Sequence, residues 1–304
     1  MDKLYFGIKP IEDLIENPNF ELIKGDFTDT ATLLKALENV SIVVHLAAIV
    51  GDPACKIDPD LTLEVNQYGV KVLAELCKVK KIKRLIFFST CSVYGYSNET
   101  INEKSKLNPV SLYAETKIKA EQYILTLKDT NFHPTVIRLA TVFGLSPRMR
   151  FDLVINLLAA KAVRENKITI YAGEQWRPFV HVKDIARAVH KLFTADVDIV
   201  SGEIFNVGGN TLNYKIKDLV PFYKKIFPNI EVVEVKDKED SRSYKVEFDK
   251  INQLLNFNLK FRIEDGLVEI NEFLKENSKI NYQSDQYSNV KNFKYGILSS
   301  LFME

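Results

Sequence analysis

The chain has 304 residues, and its 41 basic and 40 acidic side chains give a formal net charge of +1. This length accommodates one large or two modest domains with a sizeable core. The near-balance of charges gives no overall field toward nucleic acid or a membrane surface, and no apolar run reaches the roughly 18–20 residues that span a bilayer. We therefore expect neither nucleic acid nor a membrane as a partner.

Cysteines and histidines are sparse. Cys55, Cys77 and Cys91 show no C-x-x-C spacing, and the four histidines show no H-E-x-x-H or similar spacing. These patterns argue against a disulfide framework and against a zinc site, and they fit a reducing compartment. We expect a cytoplasmic protein without a bound metal.

In the first half of the chain, short apolar runs rich in β-branched residues alternate with amphipathic helical patterns. The predicted strands are FELIKGD, SIVVHLAA, RLIFFST, HPTVIRLA and, later, EIFNVGG. The predicted helices are TATLLKALENV, LEVNQYGVKVLAELCKVKK, SLYAETKIKAEQYILTLK and FDLVINLLAAKAVREN. Strands that alternate with helices of this length imply βαβ units and a parallel sheet covered on both faces. We predict a doubly wound α/β domain over residues 1–147.

The alternation loosens from about residue 148. The segment KITIYAGEQWRPFVHVKDIARAVHKLF predicts a strand, a turn, a strand and a helix; YKIKDLVPFYKKIF predicts a helix, and IEVVEV a short strand. A polar stretch, KDKEDSRS, and two helical segments that end near Lys275 follow. We predict a smaller α+β substrate lobe over residues 148–275, with segments near 167–207 returning to the sheet. Residues 276–304 are rich in Asn and Ser, and we expect a tail that packs loosely or mediates contacts.

The candidate functional residues follow the ends of the predicted strands. GDFTD, HLAA, STCSVYG and RLATVFG each close one strand. In doubly wound sheets, ligands bind in the crevice at the carboxyl ends of the strands. Tyr113 and Lys117 begin the helix after STCSVYG, and their spacing of four residues places them on one helical face. A Y-x-x-x-K pair alone occurs by chance, but the ordered set of motifs makes this pair a candidate catalytic site.

Together these motifs resemble the extended short-chain dehydrogenases/reductases, specifically the NAD-dependent nucleotide-sugar epimerase/dehydratase family, over about residues 1–275. The resemblance rests on GDFTD, HLAAIVG, Asn66, STCSVYG, YAETK, RLATVFG and RPFVHVKD. It implies a Rossmann-like domain, NAD as cofactor and a nucleotide-activated sugar as substrate. It also implies a homodimer built from two helices of each subunit, here residues 61–79 and 112–127. GLSPRMRFDLVIN resembles a subgroup that acts on nucleotide-activated hexoses or heptoses.

The resemblance implies that Thr90, Tyr113 and Lys117 are catalytic. A tyrosine is a poor base because its ordinary pKa is near 10, but a lysine ammonium and the positive nicotinamide would stabilise the phenolate. Tyr113 then takes a proton from a sugar hydroxyl while the adjacent carbon gives hydride to the nicotinamide. Thr90 holds the same oxygen, and Lys117 also binds the nicotinamide ribose. The alternative for Thr90 is that it only ends a strand and satisfies loop amides.

The resemblance also implies a set of cofactor contacts. They comprise Asp2, Asp26, Phe27, Leu46, Ala47, Ala48, Asn66, Tyr113 and Lys117. Asp2 favours NAD over NADP because its carboxylate bonds a free 2′-hydroxyl and repels a 2′-phosphate. Two of these residues have structural alternatives. Asp26 could cap the helix that begins near Thr28, and Asn66 could hydrogen-bond across the core.

The diphosphate of a nucleotide sugar calls for planar donors that are always charged, which is the chemistry of arginine. Arg177 and Arg242 resemble family positions that hold phosphate. Arg148 and Arg150, in the loop after the fourth predicted strand, are further candidates for substrate binding. Surface salt bridging is the alternative for all four.

Two departures from the family pattern bear on function. Family members that remove water from the sugar commonly carry Asp-Glu after the catalytic Thr, whereas this chain has Cys91 and Ser92. A 4,6-dehydratase is therefore disfavoured, which leaves an epimerase, a C4 dehydrogenase or a ketoreductase. The family also begins with a strand and a G-x-x-G-x-x-G turn, and the sequence contains no such motif. We expect Met1 to be an internal methionine of a longer protein, or the chain to be a fragment or a domain that borrows strands. The rival hypothesis is a non-catalytic remnant that acts in binding or assembly.

Overall fold

The computed structural model describes residues 1–235 and 242–293, so most of KDKEDSRS and residues 294–304 lie outside the described part. The strands are β1 (Ile42–His45), β2 (Arg84–Thr90), β3 (Tyr96–Ile101), β4 (His133–Leu139), β5 (Thr141–Phe143), β6 (Lys167–Tyr171), β7 (Trp176–His181), β8 (Ile204–Val207), β9 (Asn213–Lys215), β10 (Glu231–Val235) and β11 (Ser243–Val246). The α-helices are α1 (Thr30–Ala36), α2 (Asp52–Cys55), α3 (Pro59–Leu63), α4 (Gly69–Val79), α5 (Leu112–Thr126), α6 (Val154–Glu165), α7 (Val182–Thr194), α8 (Val197–Val200), α9 (Val220–Ile226), α10 (Asp249–Leu255) and α11 (Ile263–Glu276).

A four-stranded parallel sheet in the order β1-β2-β4-β8 forms the centre of the fold. Helices α4 and α5 cover one face, where Leu73, Ala120 and Ile124 pack in one core with the sheet residues Leu85 and Val136. Helix α7 covers the other face, because its apolar side packs in a second core with residues of β2, β4 and β8. Burial on both faces explains why these strands read as continuous apolar runs. The predicted doubly wound parallel sheet is confirmed.

The prediction of a strand at FELIKGD is wrong for the described residues. Only Lys24 forms a bridge, with Asp2, in the parallel sense. Two backbone hydrogen bonds, from Asp2 N to Ile23 O and from Gly25 N to Asp2 O, complete this contact. A strand forms only where a neighbour satisfies its backbone groups along its length, and here the pairing ends after one residue.

The predicted helix LEVNQYGVKVLAELCKVKK is not one regular element. It consists of α3, a π-helical turn over Glu64–Tyr68, and α4. The π turn widens the helix by one residue where Asn66 and Gln67 are buried, and such turns often occur at functional sites.

The second half of the chain builds three smaller sheets, with strand orders β5-β7-β9, β10-β6 and β11-β3. Helices α6 and α11 pack on each other in a separate core with β6 and α9. Within residues 167–207, β8 joins the central sheet, whereas β6 and β7 pair elsewhere. The helices predicted to end near Lys275 are α10 and α11.

Residues 276–293, part of the expected tail, are packed against the body of the protein. Tyr282 and Tyr287 make edge-to-face contacts with Phe151, and Phe151 N donates to Tyr287 O at 3.0 Å. Among the described residues, no helix is both long and apolar enough to cross a membrane. The three cysteines, all within this part of the chain, are buried and free.

Candidate active site

Thr90 and Tyr113 meet at the carboxyl end of β2. Strand β2 ends at Thr90, and α5 begins after Ser111, whose hydroxyl accepts from Ala114 N at 3.3 Å. Tyr113 therefore lies in the first turn of α5, 9% exposed, with its phenol near enough to Thr90 for that residue to lower its pKa. Gly95, in the loop after Thr90, has a φ of +67°, which favours glycine, and a Cβ there would clash with Asn108 O, so glycine lets the Asn108 backbone pack closely against this loop.

Lys117 lies one turn further along α5 and is 2% exposed. Its Nζ donates to Phe88 O at 2.8 Å and lies 4.6 Å from the centroid of the Phe87 ring. Burial lowers the pKa of Lys117 to about 8, and the negative charge of Glu121 acts in the opposite direction. The ammonium is thus held at the end of β2, close to Thr90, by a backbone carbonyl and an aromatic face.

The pKa of Tyr113 is raised above its ordinary value of 10. Burial is the largest cause; Cys55 and Asp52 raise it further, whereas Arg150 and Thr90 lower it. Burial outweighs the two stabilising contacts because it removes the water that would solvate a phenolate. Formation of the phenolate near neutral pH therefore requires an additional positive charge beside the ring.

A buried polar network supports this end of the sheet, and the sequence motifs did not indicate it. Arg138 on β4 donates from Nη2 to Glu121 Oε2 at 2.7 Å, and both side chains are almost fully buried. Glu121 also accepts from Ser89 Oγ, and Arg138 Nη1 donates to Tyr94 Oη at 3.0 Å. Ser89 lies between Phe88, whose carbonyl binds Lys117, and Thr90. The sequence feature that could have indicated this network is Glu121, an acidic residue four positions after Lys117 on the buried face of α5.

Asn66, one of the expected cofactor contacts, hydrogen-bonds the backbone of the loop after β1. Its Oδ1 accepts from Ile49 N at 2.8 Å, and its Nδ2 donates to Ile49 O at 2.9 Å. The side chain is fully buried. Both ends of the amide bind the loop after β1, which is the hydrogen bonding across the core that the sequence offered as the alternative role of this residue. Asn66 fixes the path of HLAAIVG.

The loop that Asn66 holds offers an apolar surface at the end of β1. Leu46 is 57% exposed, Ala47 is exposed and Ala48 is half-buried. An exposed leucine at the end of β1, on the edge where a doubly wound sheet binds its ligand, fits contact with the flat rings of a dinucleotide. The residues present here therefore fit the nicotinamide half of NAD.

Asp2, Asp26 and Phe27 lie together beside the Asp2–Lys24 bridge. Lys3 Nζ donates to Asp26 Oδ2 at 2.7 Å, and Asp26 Oδ1 accepts from both the amide and the hydroxyl of Thr28. The pKa of Asp26 is lowered; burial raises it, but the hydrogen bonds to Lys3 and Thr28 prevail. Asp2 Oδ1 accepts from Leu4 N.

The helix cap that the sequence offered as the alternative role of Asp26 is supplied by Asp29 instead, whose side chain accepts from Thr32 N. Phe27 packs edge-on against His45 at the end of β1.

Arg148 and Arg150 lie in one loop near Tyr113. Arg148 stacks on Phe6, with its guanidinium carbon 3.4 Å from the ring centroid, and its Nη1 donates to Asn289 Oδ1 at 2.8 Å. Its Nε and Nη2 are buried without a hydrogen-bond partner among the described residues. Burial, and then the charge of Arg150, lower the pKa of Arg148 to about 10. Arg150 forms a two-pronged pair with Asp152, at 3.0 and 3.2 Å.

A hydrogen bond joins the side chain of Arg177 to the backbone of Arg242. Arg177 is mostly buried, and its Nη1 donates to Trp176 O at 3.0 Å and to Arg242 O. Arg242 Nη1 lies 3.1 Å from Asp52 Oδ2. Asp52 directly follows the HLAAIVG motif, and this position in the sequence was the signal that could have identified it.

The C-terminal segment, residues 282–293, covers Tyr113. Phe293 packs in one apolar cluster with Tyr113, Ile49 and Cys55. The segment is held in place from both sides. Asn289 N donates to an oxygen of Asp152 at 2.8 Å, and the Tyr5 hydroxyl donates to Phe293 O at 3.2 Å.

Comparison with known proteins agrees with this arrangement. The family model described as "NAD dependent epimerase/dehydratase family" matches residues 7–208. An uncharacterized UDP-glucose epimerase of Bacillus subtilis is 29% identical over 268 residues, which cover 86% of this chain and 82% of that protein. A UDP-glucuronate 4-epimerase of Thermodesulfobacterium geofontis is 29% identical over 277 residues, covering 89% and 84%.

Among solved structures, UDP-glucuronic acid 4-epimerase from Bacillus cereus in complex with NAD is 27% identical, with a TM-score of 0.75. The match covers 88% of this chain and 84% of that one. The chain therefore belongs to the NAD dependent epimerase/dehydratase family, among the extended short-chain dehydrogenases/reductases, and its cofactor is NAD.

Proposed function

We propose that the protein is an NAD-dependent nucleotide-sugar oxidoreductase or epimerase in which Tyr113 removes a proton from a sugar hydroxyl. The observation that carries this proposal is that Thr90 and Tyr113 come together at the end of β2, where Thr90 lowers the pKa of the phenol, with Lys117 held beside the same strand end. These are the three groups that the chemistry requires, and they lie where a doubly wound sheet binds its dinucleotide.

Each side chain has a distinct task. NAD, when bound, accepts a hydride from the sugar carbon and brings a positive charge to the site. Thr90 hydrogen-bonds the hydroxyl that loses its proton and orients it toward Tyr113. The charged Lys117 holds the nicotinamide ribose and favours the phenolate of Tyr113. Leu46 and Ala47 provide apolar contact for the cofactor rings, and Asp2 and Asp26 lie at the adenosine end.

The four arginines are candidates for the substrate's anionic groups. Arg148 supports this assignment best, because two of its buried N–H groups are free of partners among the described residues and a buried charged donor is costly unless it is paired. Arg150 places a second positive charge near Tyr113. Arg177 and Arg242 form the other pair. We assign residues 1–147 to cofactor binding and most of 148–275 to substrate binding.

The reaction type is narrowed by Cys91. Its thiol is buried and donates to Arg138 O, and burial raises its pKa far above the ordinary value. The thiol therefore stays protonated and is a poor acid or base near neutral pH, which supports the argument against a 4,6-dehydratase. Epimerase, C4 dehydrogenase and ketoreductase remain the candidate reactions.

We further propose a cytoplasmic homodimer. Exposed apolar side chains on and next to α4, namely Tyr68, Val72 and Val79, support a dimer built from α4 and α5. Contacts between these two helices make them one surface. The buried free cysteines support a reducing compartment.

The test is turnover of UDP-glucose and UDP-glucuronate with NAD, followed by chromatography that separates C4 epimers and oxidised products. Tyr113→Phe is expected to lower kcat by about 10²- to 10⁴-fold, since it removes the general base. Tyr123→Phe, a half-buried position on the same helix whose hydroxyl bonds Glu75, is the matched control and is expected to keep wild-type activity. Wild-type activity in Tyr113→Phe would refute the proposed role.

A further inference from the structure

Asp52 has one carboxylate oxygen that no described group satisfies. Its Oδ2 pairs with Arg242, but its Oδ1 is buried and has no hydrogen-bond partner among the described residues. Leaving a buried charged acceptor unpaired costs about as much as a lost charge-assisted hydrogen bond, so such atoms normally have a partner. The ion pair with Arg242 satisfies Oδ2 alone, so it does not explain why Oδ1 is buried.

The carboxylate lies between the two parts of the proposed site. On one side it is bonded to Arg242, whose carbonyl accepts from Arg177, and these are the candidate diphosphate ligands. On the other side, the short helix α2, which begins at Asp52, packs against α5, and its Cys55 lies in one apolar cluster with Tyr113. A nucleotide sugar that places its diphosphate at the arginines and its reacting hydroxyl at Tyr113 must pass its sugar ring between them.

We propose that Asp52 determines sugar specificity: its Oδ1 accepts a hydrogen bond from a hydroxyl of the bound hexose, while its Oδ2 keeps Arg242 directed at the diphosphate. This inference rests on the proposed function and specifies its substrate class, a nucleotide hexose that presents a hydroxyl at the position facing Asp52. A deoxy sugar at that position leaves Oδ1 unpaired and is selected against. Phe293, which packs on Tyr113, has to move aside for the sugar to reach the phenol.

The sugar contact can be separated from the effect on Arg242. A residue that only orients Arg242 affects binding of a nucleoside diphosphate and of its sugar conjugate by the same factor, because both carry the diphosphate. Substituting a residue that hydrogen-bonds the sugar weakens the sugar conjugate more than the nucleoside diphosphate, so the ratio of the two affinities changes. That ratio is also insensitive to a general loss of stability.

The experiment is calorimetric titration, with NAD present, of UDP against UDP-glucose and of dTDP against dTDP-glucose. In Asp52→Ala we expect the sugar conjugate to lose about tenfold or more of its affinity relative to the free nucleotide, the range of one hydrogen bond to a charged group. Asp52→Asn, which keeps an oxygen but not the charge, is expected to lose less. Asp60→Asn, an exposed acidic position in α3, is the matched control and is expected to keep the wild-type ratio.

An equal loss for both ligands in Asp52→Ala, or no loss, would overturn the sugar contact while leaving the proposed function intact. Failure of the wild-type protein to bind either sugar conjugate would overturn the proposed function, and this inference with it.

Discussion

The buried pair of Glu121 and Arg138 connects the stability of the protein to the charge of Lys117, the lysine of the proposed catalytic site, and Glu121→Gln tests that connection. The substitution keeps the size of the side chain and removes its charge. Arg138 then stays buried without its counter-ion, and Lys117 loses the one charge identified as favouring its protonated form on its own helix. We expect a loss of stability together with a shift in the pH profile.

The magnitude follows from the burial of the pair. Breaking a fully buried ion pair costs about 3–5 kcal/mol, because the remaining charge is uncompensated. The introduced amide would still accept from Ser89, so we expect a value near the lower end, about 3 kcal/mol, out of a total of about 5–15 kcal/mol. The pKa of Lys117, already lowered to about 8 by burial, falls further. Loss of activity on the alkaline side therefore begins at a lower pH than in the wild type.

The assays are urea unfolding at pH 7 and kcat/KM as a function of pH. Glu115→Gln, an exposed position on the same helix, is the control and should change stability by less than about 0.5 kcal/mol. The double variant Glu121→Leu/Arg138→Met removes both charges and should recover much of the stability without restoring the alkaline limb. Wild-type stability and an unshifted alkaline limb in Glu121→Gln would refute the reasoning.

Three further predictions concern single positions. Lys117→Met is expected to abolish activity yet raise the unfolding free energy by about 3–4 kcal/mol at pH 7, since the shift from 10.5 to about 8 in the pKa of Lys117 corresponds to roughly 1.4 kcal/mol per unit. This gain is complete below pH 8 and disappears as the pH rises to 10.5; equal stability at pH 7 in urea unfolding would contradict it. Asn66→Ala should cost about 2–5 kcal/mol by the same measurement and weaken NAD binding, because it leaves the amide and carbonyl of Ile49 unpaired. Val72→Glu should convert the proposed dimer to monomers in analytical ultracentrifugation, and an unchanged mass would refute the α4–α5 interface.

The sequence predicted that the candidate site residues after strand ends would come together at one edge of the sheet, and the structure places Thr90, Tyr113 and Lys117 there. Thr90, Tyr113 and Lys117 could be found because parallel strands bring their carboxyl ends to one edge, so motifs far apart in sequence converge there. The central strands were equally clear, since burial on both faces produces uninterrupted apolar runs. Each of these motifs and strands could be recognised from its own short segment of sequence.

Features that need two segments were not predictable in the same way. The FELIKGD run has a strand pattern, but a strand also requires a partner, and the described chain supplies one only at Asp2. The ion pair of Asp52 with Arg242 joins residues from distant parts of the chain, and the sequence around either residue does not predict its partner. Phe293 lies in a segment without periodicity, so its packing on Tyr113 follows from tertiary contacts alone.

The central claim is that this chain binds NAD at the crevice formed by Thr90, Tyr113 and Lys117. Calorimetric titration of NAD into the wild-type protein and into Lys117→Met tests it most directly. We predict saturable binding at submillimolar NAD for the wild type and affinity at least about tenfold weaker for the variant, which lacks the ammonium held at Phe88 O. Absence of binding to the wild type at millimolar NAD, or equal affinity for the two proteins, would contradict the account.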